Sequence, residues 1–129
     1  MLKFVYKILP AFVTYSDKGL ASDTGGQAKS IKIQIRPRYK DDIGILEHEL
    51  QHVRQAYKGL LLIHALRYRY SAKYKFKCEV EAYALQNTFY SDNKLSLFAQ
   101  FIATKYNLPY AFTYSVALAA LRKQALLIA

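Results

Sequence analysis

The spacing of hydrophobic and polar positions changes partway along the chain. Residues 2–9 (LKFVYKIL) and 11–15 (AFVTY) are rich in branched and aromatic side chains, a composition that favours β-strands. The turn-forming residues Asp17, Gly19, Ser22, Asp23, Gly25 and Gly26 follow. IKIQIR then alternates cleanly, with Ile31, Ile33 and Ile35 on one side and Lys32, Gln34 and Arg36 on the other, so it predicts a half-buried strand. Pro37 lacks a backbone donor and comes directly after it, which predicts an edge position for the strand near 31–36. Beyond this point the period becomes helical. Leu46, Leu50, Val53 and Tyr57 recur at four, three and four residues and predict a helix with that stripe buried, starting near Ile43 behind an Asp41 or Asp42 cap and ending at Gly59. Further helices are predicted over 61–74, 77–90, 94–106 and 110–127, with Asn107-Leu108-Pro109 separating the last two.

These elements predict an α+β fold, in which a small N-terminal antiparallel sheet precedes a helical body and residues 1–129 form one domain. At 129 residues with 53% hydrophobic content the chain can bury a core, and a disordered chain is excluded. Nineteen Lys and Arg against nine Asp and Glu give a formal charge of +10, which favours polyanionic contacts and names no function. The single cysteine, Cys78, cannot form an internal disulfide and reads as a packing residue. Lys7 and Pro10 interrupt the apolar N-terminal run, and Arg122 and Lys123 interrupt the C-terminal one. Neither a cleaved signal nor a transmembrane segment is expected, and a reducing cytoplasm suits the chain.

The predicted helix over 43–58 carries the chemistry. It contains His48-Glu49-Leu50-Gln51-His52, in a chain with three histidines. Random order of this composition would produce H-E-x-x-H about two times in a thousand. Residues four apart on a helix lie about 40° apart around the axis and about 6 Å along it, so both imidazoles can address one cation, and zinc suits them. Glu49, one residue on, is placed to hold a zinc-bound water and accept its proton.

A third protein ligand is needed. The metzincin arrangement would place glycine at position 55 and histidine at position 58, where Gln55 and Lys58 stand. The gluzincin arrangement takes a glutamate from a later helix, and CEVEAYALQ supplies Glu79 and Glu81. With Cys78, Ala82, Leu85 and Phe89 as the buried stripe, the two glutamates flank it on opposite sides, so periodicity leaves both open.

Together, ILEHELQHVRQA and CEVEAYALQ resemble the paired helices of gluzincin-type zinc metallopeptidases, a group that includes small phage-type and antirepressor-cleaving peptidases. The likeness lies in about a dozen positions within 45–86. It implies peptide-bond hydrolysis with one zinc per chain and Glu49 as general base. The E-x-x-A pattern ending at Ala82 makes Glu79 the third ligand, with Glu81 as the alternative. Tyr83 stands where the family often has an acidic or amide side chain supporting a ligand histidine, and Arg54 where an apolar residue is usual.

Tyr83, His64 and Arg54 are candidates for stabilising an oxyanion, although His64 within LLIHAL reads first as a packing histidine. An edge strand over Ile31, Lys32, Ile33, Gln34 and Ile35 would pair with an extended substrate, as in other zincins. The segment RYRYSAKYKFK interleaves Arg67, Arg69, Lys73, Lys75 and Lys77 with four aromatics. One reading is a nucleic-acid or other polyanion surface, which supports an alternative function as a basic zinc-containing binding or regulatory protein with a structural metal. The other is a helix whose Leu66, Tyr70 and Tyr74 stripe is core, with solvated cations around it.

Overall fold

In the computed structural model, residues 1–7, 9–109 and 112–129 are described, and they fall into two compact units, Met1–Ala65 and Leu66–Ala129. Among the described residues, a four-stranded N-terminal sheet is followed by five α-helices, an α+β fold.

The first unit contains β1 (Leu2–Val5), β2 (Leu9–Tyr15), β3 (Gly26–Lys29), β4 (Lys32–Ile35), a 3₁₀ turn over Pro37–Tyr39 and α1 (Ile43–Lys58). The strand order is β1-β2-β4-β3. β1 and β3 pair antiparallel with their neighbours, whereas β2 and β4 run parallel, with Val13 opposite Ile33. The sheet is therefore mixed, not wholly antiparallel. Ile33 and Ile35 of β4, Val13 and Ala11 of β2 and Val5 of β1 point to one face, where Leu50 and Val53 of α1 complete a closed core. Leu46 and Tyr57 pack at its margin, and the Tyr57 hydroxyl donates to the Pro10 carbonyl at 2.6 Å. The predicted stripe of α1 is the buried one.

The expected edge position of strand 31–36 is corrected. β4 is an interior strand with β2 on one side and β3 on the other, so its backbone has no open side for a substrate. Pro37 lies beyond the ladder, at the start of the 3₁₀ turn, where its missing N–H costs no sheet hydrogen bond. The edges are β1 and β3, and β3, the one beside β4, has the sequence GQAK and lacks an alternating apolar signal. Gly25 and Gly26 are closely approached by their neighbours: a Cβ on Gly26 would lie 3.1 Å from the Gln34 carbonyl oxygen, and one on Gly25 would lie 3.3 Å from Ile45 Cδ1. Arg36 ties down the preceding loop, its guanidinium reaching Asp17 at 2.8 Å and the carbonyls of Ala21 and Thr24.

The unit boundary falls within α2 (Leu62–Tyr70). The second unit continues with α3 (Ala72–Asn87), α4 (Leu95–Lys105) and α5 (Tyr114–Ile128). Val80, Tyr83 and Ala84 of α3, Phe98 and Ile102 of α4, and Leu121 of α5 form its core. Ala84, Ala99 and Ala117 are completely buried, which allows the three helices to approach closely. The helix predicted over 61–74 ends earlier, because Ser71 caps α3 by accepting from Tyr74 N at 3.2 Å. Tyr70 is accordingly 74% exposed and Leu66 half exposed, so Leu66, Tyr70 and Tyr74 do not form a core stripe. The last predicted helix included Tyr110 and Ala111, which lie outside the described residues. Among the described residues, no helix is long and apolar enough to cross a membrane.

Candidate metal centre

α1 sets the first half of the site. Asp42 caps it by accepting from Ile45 N at 3.1 Å, and Leu50 and Val53 hold one side of the helix on the sheet. His48 and His52 project from the adjacent side, with His48 buried. Their Nε2 atoms lie 3.1 Å apart and the rings meet edge to face, with centroids 4.8 Å apart. Two nitrogens each about 2.05 Å from one tetrahedral zinc would be about 3.3 Å apart, so the pair already has the spacing of two ligands to a common ion.

His52 is oriented by a residue the sequence reading did not assign. Its Nδ1 lies 2.9 Å from Oε1 of the buried Gln55, one helical turn further on. With Nδ1–H donating to the amide oxygen, Nε2 presents its lone pair, the form a metal requires. Gln55, the residue that removes the metzincin pattern, is thus the support for the second histidine. The signal in the sequence was an amide three residues after that histidine on the same helix. Glu49 is buried and follows His48 directly.

α3 carries the two candidate carboxylates. Glu79 in α3 is almost completely buried, whereas Glu81 is only partly so. Periodicity left the two open, and burial singles out Glu79. The Tyr68 hydroxyl donates to Glu79 Oε2 at 2.6 Å, a charge-assisted bond that fixes the carboxylate plane. In the sequence, Tyr68 stands out only as one aromatic of the basic-aromatic run. His48, His52 and Glu79 each offer one donor atom to a metal ion, and two imidazoles with a carboxylate make a donor set that zinc accepts.

The remaining candidates are distributed differently. Arg54 forms an ion pair with Glu47 and donates to Gln51, both at 3.2 Å. On a helix it lies about 200° around the axis from His52, so it belongs to another face and is not placed to meet an oxyanion formed beside that histidine. The Tyr83 ring stacks on Phe98 at 4.8 Å, and its hydroxyl meets that of Tyr106 at 2.7 Å. Burial, followed by the Glu79 charge, holds the Tyr106 phenol well above its ordinary pKa, so it remains a neutral hydrogen-bonding group. His64 is buried in α2. Cys78 is buried beside Glu79 in the chain, and burial pushes its thiol up to about 12, which makes it a packing residue and not a nucleophile.

Comparison of the chain with protein-family models, curated proteins and solved structures returned no match, so the functional reading rests on the chemistry of these side chains.

Proposed function

We propose that the chain is a zinc-dependent peptidase in which His48, His52 and Glu79 hold one zinc and Glu49 is the general base. The observation that carries this reading is the convergence of the two Nε2 atoms at 3.1 Å, with a carboxylate-bearing residue set between the two histidines in sequence. A zinc ion in such a site lowers the pKa of a water molecule and polarises a substrate carbonyl. The residues of the chain perform the remaining work. Glu49 takes the proton released as water attacks the scissile carbonyl carbon and returns it to the departing amine nitrogen. Gln55 keeps His52 in the tautomer that leaves Nε2 free to ligate, and Tyr68 keeps the Glu79 carboxylate oriented. Metal coordination alone needs only the ligands, so a carboxylate directly after the first histidine favours the hydrolase.

Pairing with an extended substrate falls to β3 in this reading. It is an edge strand, and in an antiparallel ladder alternate residues direct their N–H and C=O groups away from the partner strand. These groups can bind a peptide main chain with little regard to its side chains.

The test is cleavage of an unfolded-protein pool, read by mass spectrometry for new termini. The wild type is expected to generate them in a chelator-sensitive way. Glu49→Gln preserves size and zinc content and is expected to reduce the rate about a hundred- to ten-thousandfold, the usual cost of losing a positioned general base. Zinc-loaded wild type that produces no new termini would leave the site as a structural metal centre in a basic binding protein.

A further inference from the structure

Three of the five cations in the basic-aromatic segment gather on one side of the second unit. Arg67, Lys73 and Lys77, joined by Lys123 of α5, line a groove of about 700 Å³. Val80, Ala120 and Leu127 give it an aliphatic floor, and Glu81 is the one carboxylate among its lining residues. Arg69 and Lys75 are placed instead over Tyr70 and Tyr68, at 5.5 and 5.2 Å. At about 100° per residue, the α3 residues that line the groove centre roughly 140° around the helix from Glu79. The groove and the Tyr68–Glu79 pair therefore use different sides of α3.

Charge and shape together select an occupant. Four cations to one carboxylate call for an anion, and the aliphatic floor calls for an apolar ridge on that same ligand. A nucleic-acid strand would need open ring faces for its bases. Here Arg67 covers Tyr74 at 4.1 Å and Phe76 packs on Phe112 at 4.6 Å. From Lys73 to Glu81 α3 rises about 12 Å, a little over two turns, the length over which an amphipathic helix presents apolar residues at i, i+3, i+4 and i+7. Leu127 is 72% exposed, so the floor stays open to such a ridge. We infer that this groove docks an acidic amphipathic helix of a partner protein, with aliphatic residues on its floor and carboxylates against Arg67, Lys73, Lys77 and Lys123. The docking site is independent of the metal centre.

The experiment is fluorescence anisotropy on the full chain with three labelled probes. One is a twelve-residue glutamate–leucine peptide with its leucines on one helical ridge, the second has the same composition with the leucines scattered, and the third is a single-stranded DNA of similar charge. The ridge peptide is expected to bind with Kd below about 100 µM and at least about fivefold more tightly than either of the others. Lys73→Glu and Lys123→Glu should each weaken it about tenfold. Ala120→Phe, which fills the floor without changing charge, should do the same while circular dichroism and thermal melting remain those of the wild type. Equal binding of ridge and scattered peptides, tighter binding of DNA, an unaffected Ala120→Phe variant, or no binding of the ridge peptide would each overturn the inference.

Discussion

At the scale of single residues, the site depends on hydrogen bonds that orient its ligands. Gln55 Oε1 lies 2.9 Å from His52 Nδ1, and loss of such a support typically costs about ten- to a hundredfold in metal affinity. Gln55→Leu should show that loss in a chelator-competition assay, whereas Gln55→Glu, which still accepts from Nδ1, should bind zinc nearly as well as the wild type. Equal affinity in all three proteins would remove Gln55 from the site. Cys78 gives a second test. Burial raises its thiol from 9.0 to about 12, so the folded protein binds a proton that the unfolded chain releases above about pH 9. Its contribution to stability is complete below that value and declines as pH rises towards 12. Iodoacetamide at pH 8 should therefore modify the denatured chain rapidly and leave the native chain unmodified. Rapid labelling of the native protein would show that the thiol is not held in this environment.

Among the elements, those that announce themselves in sequence bury one regular face. The stripe of α1 at Leu46, Leu50, Val53 and Tyr57, a cap at Asp41 or Asp42 and the alternation of β4 were legible because each follows from a period or a local hydrogen bond, and the structure selects Asp42. β3 was not legible. GQAK has no apolar alternation, and it is held by pairing with β4 through the short connection at Ser30 and Ile31, where Ser30 adopts φ 56°. The edge inference from Pro37 failed for a related reason: proline excludes a ladder position only within the strand. The break at Ser71 was masked by the helix formers around it, and the role of Tyr68 depends on Glu79 of another helix, whereas that of Gln55 is local, three residues from His52 on α1. The choice between Glu79 and Glu81 likewise needed burial, since both flank the stripe expected over Cys78, Ala82, Leu85 and Phe89; of that stripe Cys78 and Ala82 are buried, whereas Leu85 is only half-buried and Phe89 is exposed beyond the end of α3. The elements also carry measurable energies. Asp42→Ala should destabilise the first unit by about 1 kcal/mol through the lost cap, and Leu50→Ala by about 2–5 kcal/mol through the cavity it leaves between helix and sheet. Urea unfolding followed by circular dichroism reads both, and a neutral Leu50→Ala would show that α1 is not held on the sheet by this core.

For the whole molecule, the proposed centre calls on His48, Glu49 and His52 of α1 and on Glu79 of α3. The net charge of +10 is not used by that chemistry, and the groove lined by Arg67, Lys73, Lys77 and Lys123 gives part of it a purpose. Whether the two histidines and Glu79 bind one metal ion is decided by calorimetric titration of zinc into the chelator-stripped 129-residue chain. One zinc per chain is expected in the wild type, with no binding in His52→Ala, strongly weakened binding in Glu79→Gln and nearly unchanged binding in Glu81→Gln. A wild type that takes up no zinc at neutral pH, or a His52→Ala variant that binds it as tightly as the wild type, would contradict the proposed centre.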